Sequence, residues 1–148
     1  MRALIQRVKE SSVTVDGRVV GKISEGLNIL LGVGKGDSLE DVDKLVRKIV
    51  NLRIFEDERG KFQHSIKDIK GEVLVVSQFT LYASVRKGRR PSFENAEEPR
   101  KAEELYKAFV NRLRGEGLRV ETGIFGAMMD VFIRNWGPVT IMLDSREL

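Results

Sequence analysis

The sequence predicts an α+β fold with a largely antiparallel or mixed β-sheet. Predicted strands come first and last in the chain, and two predicted helices lie between them, separated by one strand. This segregated order differs from the regular alternation of strands and helices in a doubly wound parallel sheet. With 148 residues, 41% of them hydrophobic, the chain is long enough to bury a core, and we expect residues 1–148 to form a single domain.

Strands are predicted throughout the N-terminal part of the chain, beginning with residues 1–9. A hairpin follows, because Asp16-Gly17 lies between two β-branched stretches. That dipeptide favours a type I′ turn, in which both central residues have positive φ. The apolar residues 27–33 then predict a buried strand that ends in a glycine-rich turn.

Two amphipathic helices are predicted to pack on the sheet. The first begins after Ser38, which is expected to form a capping box with Asp41. Its apolar residues recur at helical spacing: Leu39, Val42, Leu45, Val46, Ile49 and Leu52. The second begins near Pro99, since proline suits the first helical turn, and ends at Gly115 or Gly117. Its expected inner face consists of Ala102, Leu105, Phe109 and Leu113.

The remaining elements are a turn and three strands. Residues 57–60 have the composition of a turn, and residues 72–79 form a β-branched run typical of a buried strand. Two more strands are predicted at residues 129–133 and 139–143.

Composition restricts the chemistry that this chain can perform. Without cysteine there is no disulfide, no thiolate nucleophile and no cysteine metal site. The single histidine, His64, lies in a polar stretch, where an incidental surface residue is commoner than a general base. We therefore expect no metal and no cofactor. The N-terminus does not resemble a signal peptide and no apolar stretch is long enough to cross a membrane, so we expect a cytoplasmic protein without a membrane partner.

Two polar segments have features of a binding or catalytic site. Ser77-Gln78-Phe79-Thr80 ends the most hydrophobic predicted strand, where hydroxyls, an amide and backbone N–H groups can face a cleft. Residues 135–140 contain Gly137-Pro138, and X–Pro bonds are where cis peptides occur. Taken alone, a buried strand with hydroxyls bonded to the backbone explains the first segment better, and a plain turn explains the second.

A third segment is strongly basic. The formal net charge of the chain is +4, and residues 86–90 concentrate positive charge, because only Gly88 among them is uncharged. Phosphates attract lysine and arginine at long range, so a basic loop favours a polyanionic partner. A solvated loop is an equally good explanation of this segment in isolation, but its proximity to Ser77–Thr80 in the sequence supports the phosphate-binding one.

Five segments taken together point to one family. Residues 1–8, 51–57, 76–82, 87–93 and 135–140 have the sequences MRALIQRV, NLRIFED, VSQFTLY, KGRRPSF and NWGPVT. In this order and spacing the chain closely resembles the D-aminoacyl-tRNA deacylase family, essentially from end to end. The resemblance implies a compact, barrel-like β domain with the helices packed outside. It also implies a homodimer whose active site lies at the interface and hydrolyses the ester between tRNA and a D-amino acid or glycine.

The same resemblance assigns roles to residues. The catalytic segment of the pocket is Ser77, Gln78, Phe79 and Thr80. Substrate binding and chiral selection fall to Asn135, Gly137, Pro138, Thr140 and Met129, with the 135–140 segment reaching in from the partner subunit and a cis bond between Gly137 and Pro138. The tRNA-binding cations are Arg86, Lys87, Arg89 and Arg90. Trp136 and Ile124 depart from the family, which usually has a small or acidic residue and an arginine at these positions.

The implied mechanism separates enantiomers by a steric clash. A rigid main-chain wall at Gly137-Pro138 would collide with the side chain of an L-residue, and attraction alone discriminates weakly. Glycine has no side chain, so glycyl-tRNA mischarged on tRNA-Ala is an expected substrate. We expect water, assisted by the ribose 2′-hydroxyl, to attack the ester, because no histidine or lysine in the segment would activate Thr80 as a nucleophile.

Two other functional classes remain open from the sequence. One is an RNA-binding module without catalysis, which the basic loop would suit. The other is a hydrolase of small-molecule esters with Thr80 as the nucleophile.

Overall fold

The computed structural model describes residues 1–148, with eight strands and two α-helices. The strands are β1 Arg2–Val15, β2 Arg18–Ile23, β3 Gly26–Gly32, β4 Phe55–Glu56, β5 Phe62–His64, β6 Glu72–Ser77, β7 Arg119–Thr122 and β8 Asp130–Asp144. The helices are α1 Leu39–Asn51 and α2 Pro99–Gly115, and short 3₁₀ turns span Phe79–Tyr82 and Ser145–Glu147.

The main sheet has six strands and is mixed, which confirms the predicted fold class. Five strands lie in the order β2-β1-β3-β6-β7, and β8 pairs with β1. All the pairs that involve β1 are antiparallel, whereas β6 runs parallel to both β3 and β7. The sheet curls until β2 approaches β7, and Gly21 of β2 lies so close to the carbonyl oxygen of Thr122 that a side chain at this position would collide with it. The domain is therefore a nearly closed barrel.

Apolar side chains form two clusters on the two faces of this curled sheet. The larger lies between the sheet and the helices, where Ile29 and Val75 meet Leu45 of α1 and Phe109 of α2. A smaller cluster lies on the opposite face. Its fully buried members are Val8, Val13, Ile23, Leu74 and Val76. Because successive side chains of a strand point to opposite faces, β6 contributes to both clusters and is apolar along most of its length.

The helices begin where the sequence predicts. Ser38 caps α1, its hydroxyl accepting from the backbone N–H of Glu40 and the carboxylate of Asp41 accepting from the N–H of Ser38, which completes the capping box. Pro99 occupies the first turn of α2, and Glu98 accepts from the N–H groups of Arg100 and Lys101. No helix is both long enough and apolar enough to cross a membrane.

Three details of the strands differ from the predictions. The 1–9 strand and the first arm of the predicted hairpin are one continuous strand, β1, although the Asp16-Gly17 turn has the expected positive φ angles of 48° and 78°. The two C-terminal strands are likewise one strand, β8. The β4–β5 hairpin and β7 were not predicted, because strands of two to four residues are too short to show a period of two.

Candidate active site

The Ser77–Thr80 segment lies where β6 leaves the sheet. The N–H of Gln78 donates to the carbonyl of Leu31 at 2.8 Å, after which the chain turns into the 3₁₀ turn Phe79–Tyr82. Ser77 and Gln78 are half-buried, whereas Phe79 and Thr80 are exposed. The side-chain amide of Gln78 donates to the hydroxyl of Thr80. The segment therefore ends in a rigid turn with an exposed hydroxyl and amide.

Backbone donors and a buried tyrosine complete this turn. The first N–H groups of a helical turn have no carbonyl partner within it, so those of Phe79 and Thr80 point out of the turn. At its other end Tyr82 is buried and packs against Gly34. Burial, reinforced by the carboxylates of Asp37 and Asp144, raises the pKa of the Tyr82 hydroxyl. Tyr82 therefore stays protonated, and the packing of its buried ring against Gly34 anchors the turn.

The basic loop is attached directly to this turn. Ser84 and Ser92 exchange two backbone hydrogen bonds, both 2.8 Å long, which close the loop at its base. Beyond them Phe93 packs edge-on against Phe79, with ring centroids 4.9 Å apart. The loop cations are all exposed, and none pairs with a carboxylate of this chain: Arg86, Lys87, Arg89 and Arg90. The four side chains are therefore available to bind anions such as phosphates.

The second predicted segment is an excursion from the β1–β8 ladder. Gln6 pairs with Thr140, and Val8 pairs with Asn135, so the four residues 136–139 lie opposite the single residue Arg7. A bulge of this kind breaks the pairing and redirects the strand. Thr140 and the three residues 136–138 are exposed to solvent. We call residues 136–139 the β8 excursion.

Asn135 and Thr140 hold the two ends of the β8 excursion together. The side-chain amide of Asn135 donates to the hydroxyl of Thr140 at 2.7 Å, and its carbonyl accepts from the N–H of Val139 at 3.2 Å. Gly137 and Pro138 lie at the exposed tip and are joined by a cis peptide bond. Gly137 has a φ of +127°, a conformation that side chains disfavour. These contacts explain the spacing of polar residues in the motif.

Arg7 is the residue of this site that the sequence analysis missed. Its side chain is only 2% exposed, and its Nε donates to the carbonyl of Trp136 at 3.0 Å. One terminal nitrogen donates to the carbonyl of Ile54 at 2.9 Å, and the other lies 3.6 Å from the carboxylate of Glu56. A Cβ on Gly137 would lie 2.9 Å from that second nitrogen. The buried guanidinium thus fills the space opposite the β8 excursion and holds the main chain there.

The signal for Arg7 is present in the sequence as a break in alternation. The core-facing positions of β1 are odd-numbered, as Ala3 and Ile5 show, and Arg7 occupies the next one. A charge in the core-facing register is rarely buried unless it is paired, so it points to a special partner. The identity of that partner, a carbonyl more than a hundred residues away, was not predictable.

Other predicted positions lie apart from these two segments. Met129 immediately precedes β8 and packs on the smaller apolar cluster, beside Gly123. His64 lies on β5, opposite Phe55. No group of three or more histidine, aspartate or glutamate side chains is arranged to hold a metal ion.

The structure does not bring Ser77–Thr80 and the β8 excursion together within one chain. Ser77 pairs with Leu31, Leu31 with Ala3, and Ala3 with Leu143, so three strand spacings separate β6 from β8. At about 4.8 Å per spacing, this is about 14 Å across the sheet. Thr140 lies three residues further along β8, about another 10 Å.

Comparisons with known proteins point to one family over nearly the whole chain. A family described as "D-Tyr-tRNA(Tyr) deacylase" matches residues 4–144. The chain is 74% identical to a protein of Aquifex aeolicus (strain VF5) and 64% identical to one of Persephonella marina (strain DSM 14350 / EX-H1). Both are named "D-aminoacyl-tRNA deacylase", and each match covers 100% of both chains.

Two solved structures resemble the fold. One, titled "c-Myc DNA Unwinding Element Binding Protein", is 44% identical with a TM-score of 0.91, covering 97% of this chain and 98% of the other. The other is titled "Structural Analysis of a probable eukaryotic D-amino acid tRNA deacylase". It is 19% identical with a TM-score of 0.81 and covers 96% of this chain and 97% of its own, which supports the fold alone.

Replacement of Arg7 tests its structural role. Arg7→Met leaves the carbonyls of Trp136 and Ile54 without their donors, so the free energy of unfolding should fall by about 2–5 kcal/mol. Urea unfolding followed by circular dichroism measures the change. Arg47→Met, at an exposed position of α1, is the matched control and should change stability by less than about 0.5 kcal/mol. Equal stability of the two variants would contradict the assignment.

Proposed function

The chain belongs to the D-Tyr-tRNA(Tyr) deacylase family and hydrolyses the ester bond of D-aminoacyl-tRNA, and we propose that it selects its substrates with the exposed tip of the β8 excursion. The proposal rests on the exposure of Gly137 and Pro138 at this tip. The main chain there is held on one side by the hydrogen bond from Arg7 and at its base by the one between Asn135 and Thr140. Because this family consists of enzymes, the alternative of an RNA-binding module without catalysis is ruled out. Because aminoacyl-tRNA is the substrate, the proposal places the enzyme in the cytoplasm.

The active site that we propose is shared between two copies of the chain. The separation of Ser77–Thr80 from the β8 excursion supports this arrangement, because a pocket of amino-acid size cannot span it within one subunit. The edge of β8 that does not pair with β1 is free, and two large apolar side chains of this strand are exposed: Phe132 and Met142. A second copy would cover them and bring its own excursion to the Ser77–Thr80 turn.

Selection against L-aminoacyl-tRNA follows from a fixed main-chain surface. Carbonyls near Gly137 and Pro138 accept hydrogen bonds from the ammonium group of the substrate and set the direction of the α-carbon substituents. The hydrogen of a D-residue then faces the wall, whereas the side chain of an L-residue collides with it. Glycine presents a hydrogen in either position, so glycyl-tRNA mischarged on tRNA-Ala is also hydrolysed.

The Ser77–Thr80 turn performs the hydrolysis. The N–H groups of Phe79 and Thr80 stabilise the oxyanion that forms on the ester carbonyl, and one such donor lowers a barrier by about 3–4 kcal/mol. Water attacks the carbonyl carbon, the bond to the ribose 3′-oxygen breaks, and that oxygen takes a proton, with the ribose 2′-hydroxyl assisting. The side chains of Gln78 and Thr80 form a hydrogen bond, which orders the polar edge of the pocket.

The basic loop binds the tRNA backbone. Its cations are unpaired and exposed, and the Phe79–Phe93 contact joins the loop to the catalytic turn. Phosphate contacts give affinity without much sequence preference.

The experiment that tests the proposed function compares three substrates. We expect the purified protein to hydrolyse D-aminoacyl-tRNA and glycyl-tRNA at similar rates and L-aminoacyl-tRNA at least about a hundred-fold more slowly, since the wall acts only on a side chain of the L hand. Release of radiolabelled amino acid from tRNA measures this. A free D-amino-acid ester should react poorly, and rapid cleavage of that ester would instead support the small-molecule hydrolase.

Thr80→Val separates water attack from a covalent mechanism. If Thr80 only donates and accepts hydrogen bonds, the variant should lose about ten-fold or less in kcat, the worth of one hydrogen bond. Single-turnover kinetics on D-aminoacyl-tRNA measures the loss. A fall of about ten-thousand-fold with binding intact would identify Thr80 as the nucleophile instead.

Removal of charge from the loop should weaken tRNA binding. In Arg89→Ala/Arg90→Ala the slope of log Kd against log salt should flatten by about 0.7–0.9 for each phosphate that the variant no longer neutralises. Filter binding over a range of salt concentrations measures this slope. Lys44→Ala/Lys107→Ala removes the same charge from the helices and is the control. Identical slopes in the two double variants would place the tRNA elsewhere.

A further inference from the structure

Trp136 is the only tryptophan of the chain and stands in the middle of the proposed selection segment. The residue is 38% exposed. The functions assigned to Asn135, Gly137 and Pro138 do not use this ring.

Two cations of β1 lie against the indole ring. The guanidinium carbon of Arg7 is 4.2 Å from the ring centroid, and the Nζ of Lys9 is 3.8 Å from it. Both cations therefore contact one aromatic ring. Lys9 is the extra residue of β1 in the ladder, because Val8 pairs with Asn135 and Glu10 with Arg134. Both distances are within the range of cation–π contacts.

The indole ring covers one side of the guanidinium group that holds the main chain. Carbonyls of Trp136 and Ile54, the carboxylate of Glu56 and the ring of Phe62 surround Arg7 on its other sides. Exclusion of water strengthens a charged hydrogen bond, so the indole stabilises the bond from Arg7 to the Trp136 carbonyl. Arg7 thus contacts one residue at two points, its ring and its carbonyl.

This double contact fixes the peptide plane that enters Gly137. Glycine restricts its own backbone less than any other residue. The conformation of Gly137, with a φ of +127°, is therefore fixed by contacts from other residues. The hydrogen bonds of the Asn135 side chain, to the Thr140 hydroxyl and from the Val139 N–H, close the base of the excursion but do not touch this plane.

We propose that Trp136 is a positioning residue, whose indole ring against Arg7 and Lys9 sets the orientation of the Gly137-Pro138 surface and thereby the ratio of D- to L-aminoacyl-tRNA hydrolysis. The inference rests on the proposed function of that surface.

Kinetics of Trp136→Ala and Trp136→Phe tests the proposal. In Trp136→Ala the D-to-L ratio of kcat/KM should fall by about ten- to a hundred-fold, since displacements of about 1 Å have effects of this size. The loss should appear in kcat for the D-substrate, with KM within about three-fold, because the ring does not touch the substrate. Trp136→Phe keeps an aromatic face and should restore most of the ratio. An increase in KM alone, or no rescue by phenylalanine, would overturn the positioning role.

Fluorescence supplies a second measurement that does not depend on catalysis. Because Trp136 is the only tryptophan, its emission reports the cations beside it. Lys9→Met should shift the emission and lower the D-to-L ratio by a few-fold, whereas Lys22→Met, at an exposed position of β2, should change neither. Unchanged emission and ratio in Lys9→Met would count against the contact. If the unaltered enzyme fails to distinguish D from L, the proposed function fails; if it distinguishes them as well without Trp136, only the present inference fails.

Discussion

The buried guanidinium of Arg7 occupies the space that opens where β8 leaves the ladder with β1. Four residues of β8 lie opposite this one residue, and without its side chain the carbonyl of Trp136 and the carboxylate of Glu56 would face a gap. A buried cation is tolerated only when its donors are satisfied, and here two carbonyls, a carboxylate and two aromatic rings surround it. The position of Gly137 and Pro138 at an exposed tip follows from this packing.

The rest of the fold sets the distance between the two halves of the proposed chemistry. Buried strands β3 and β6 fix the end of β6, so the 3₁₀ turn that carries Phe79 and Thr80 starts from a rigid edge. The β8 excursion starts from the other side of β1. Three strand pairings and part of the length of β8 separate these two places, and this separation supports a second copy of the chain as part of the proposed site. The contact between Phe79 and Phe93 joins the basic loop to this turn and so places its exposed cations at the same edge.

The sequence predicted those parts of the structure that depend on local physics. The Asp16-Gly17 turn, the Ser38 cap and the proline at the start of α2 each follow from backbone preferences within a few residues, and all three predictions are confirmed. The continuity of β8 through Gly137-Pro138 was not predictable, because it depends on pairing with β1, whose residues lie about 130 positions earlier. The partners of Arg7 were missed for the same reason. The site motifs were recognised from their resemblance to a family. The structure supplies a physical basis for one of them, since the side chains of Asn135 and Thr140 form a hydrogen bond across the excursion.

Subunit complementation measures the shared site most directly. Gln78→Ala removes the side chain that hydrogen-bonds to Thr80 in the proposed catalytic turn. Gly137→Ala adds a Cβ that would lie 2.9 Å from Arg7 at a φ of +127° and so alters the proposed selection surface. When the two impaired chains are unfolded together and refolded, half of the dimers combine one of each, and each of these has one intact site. We expect the mixture to recover about a quarter of the D-aminoacyl-tRNA hydrolysis of the unaltered enzyme. A mixture that contains mixed dimers but is no more active than the separate variants would contradict the shared site.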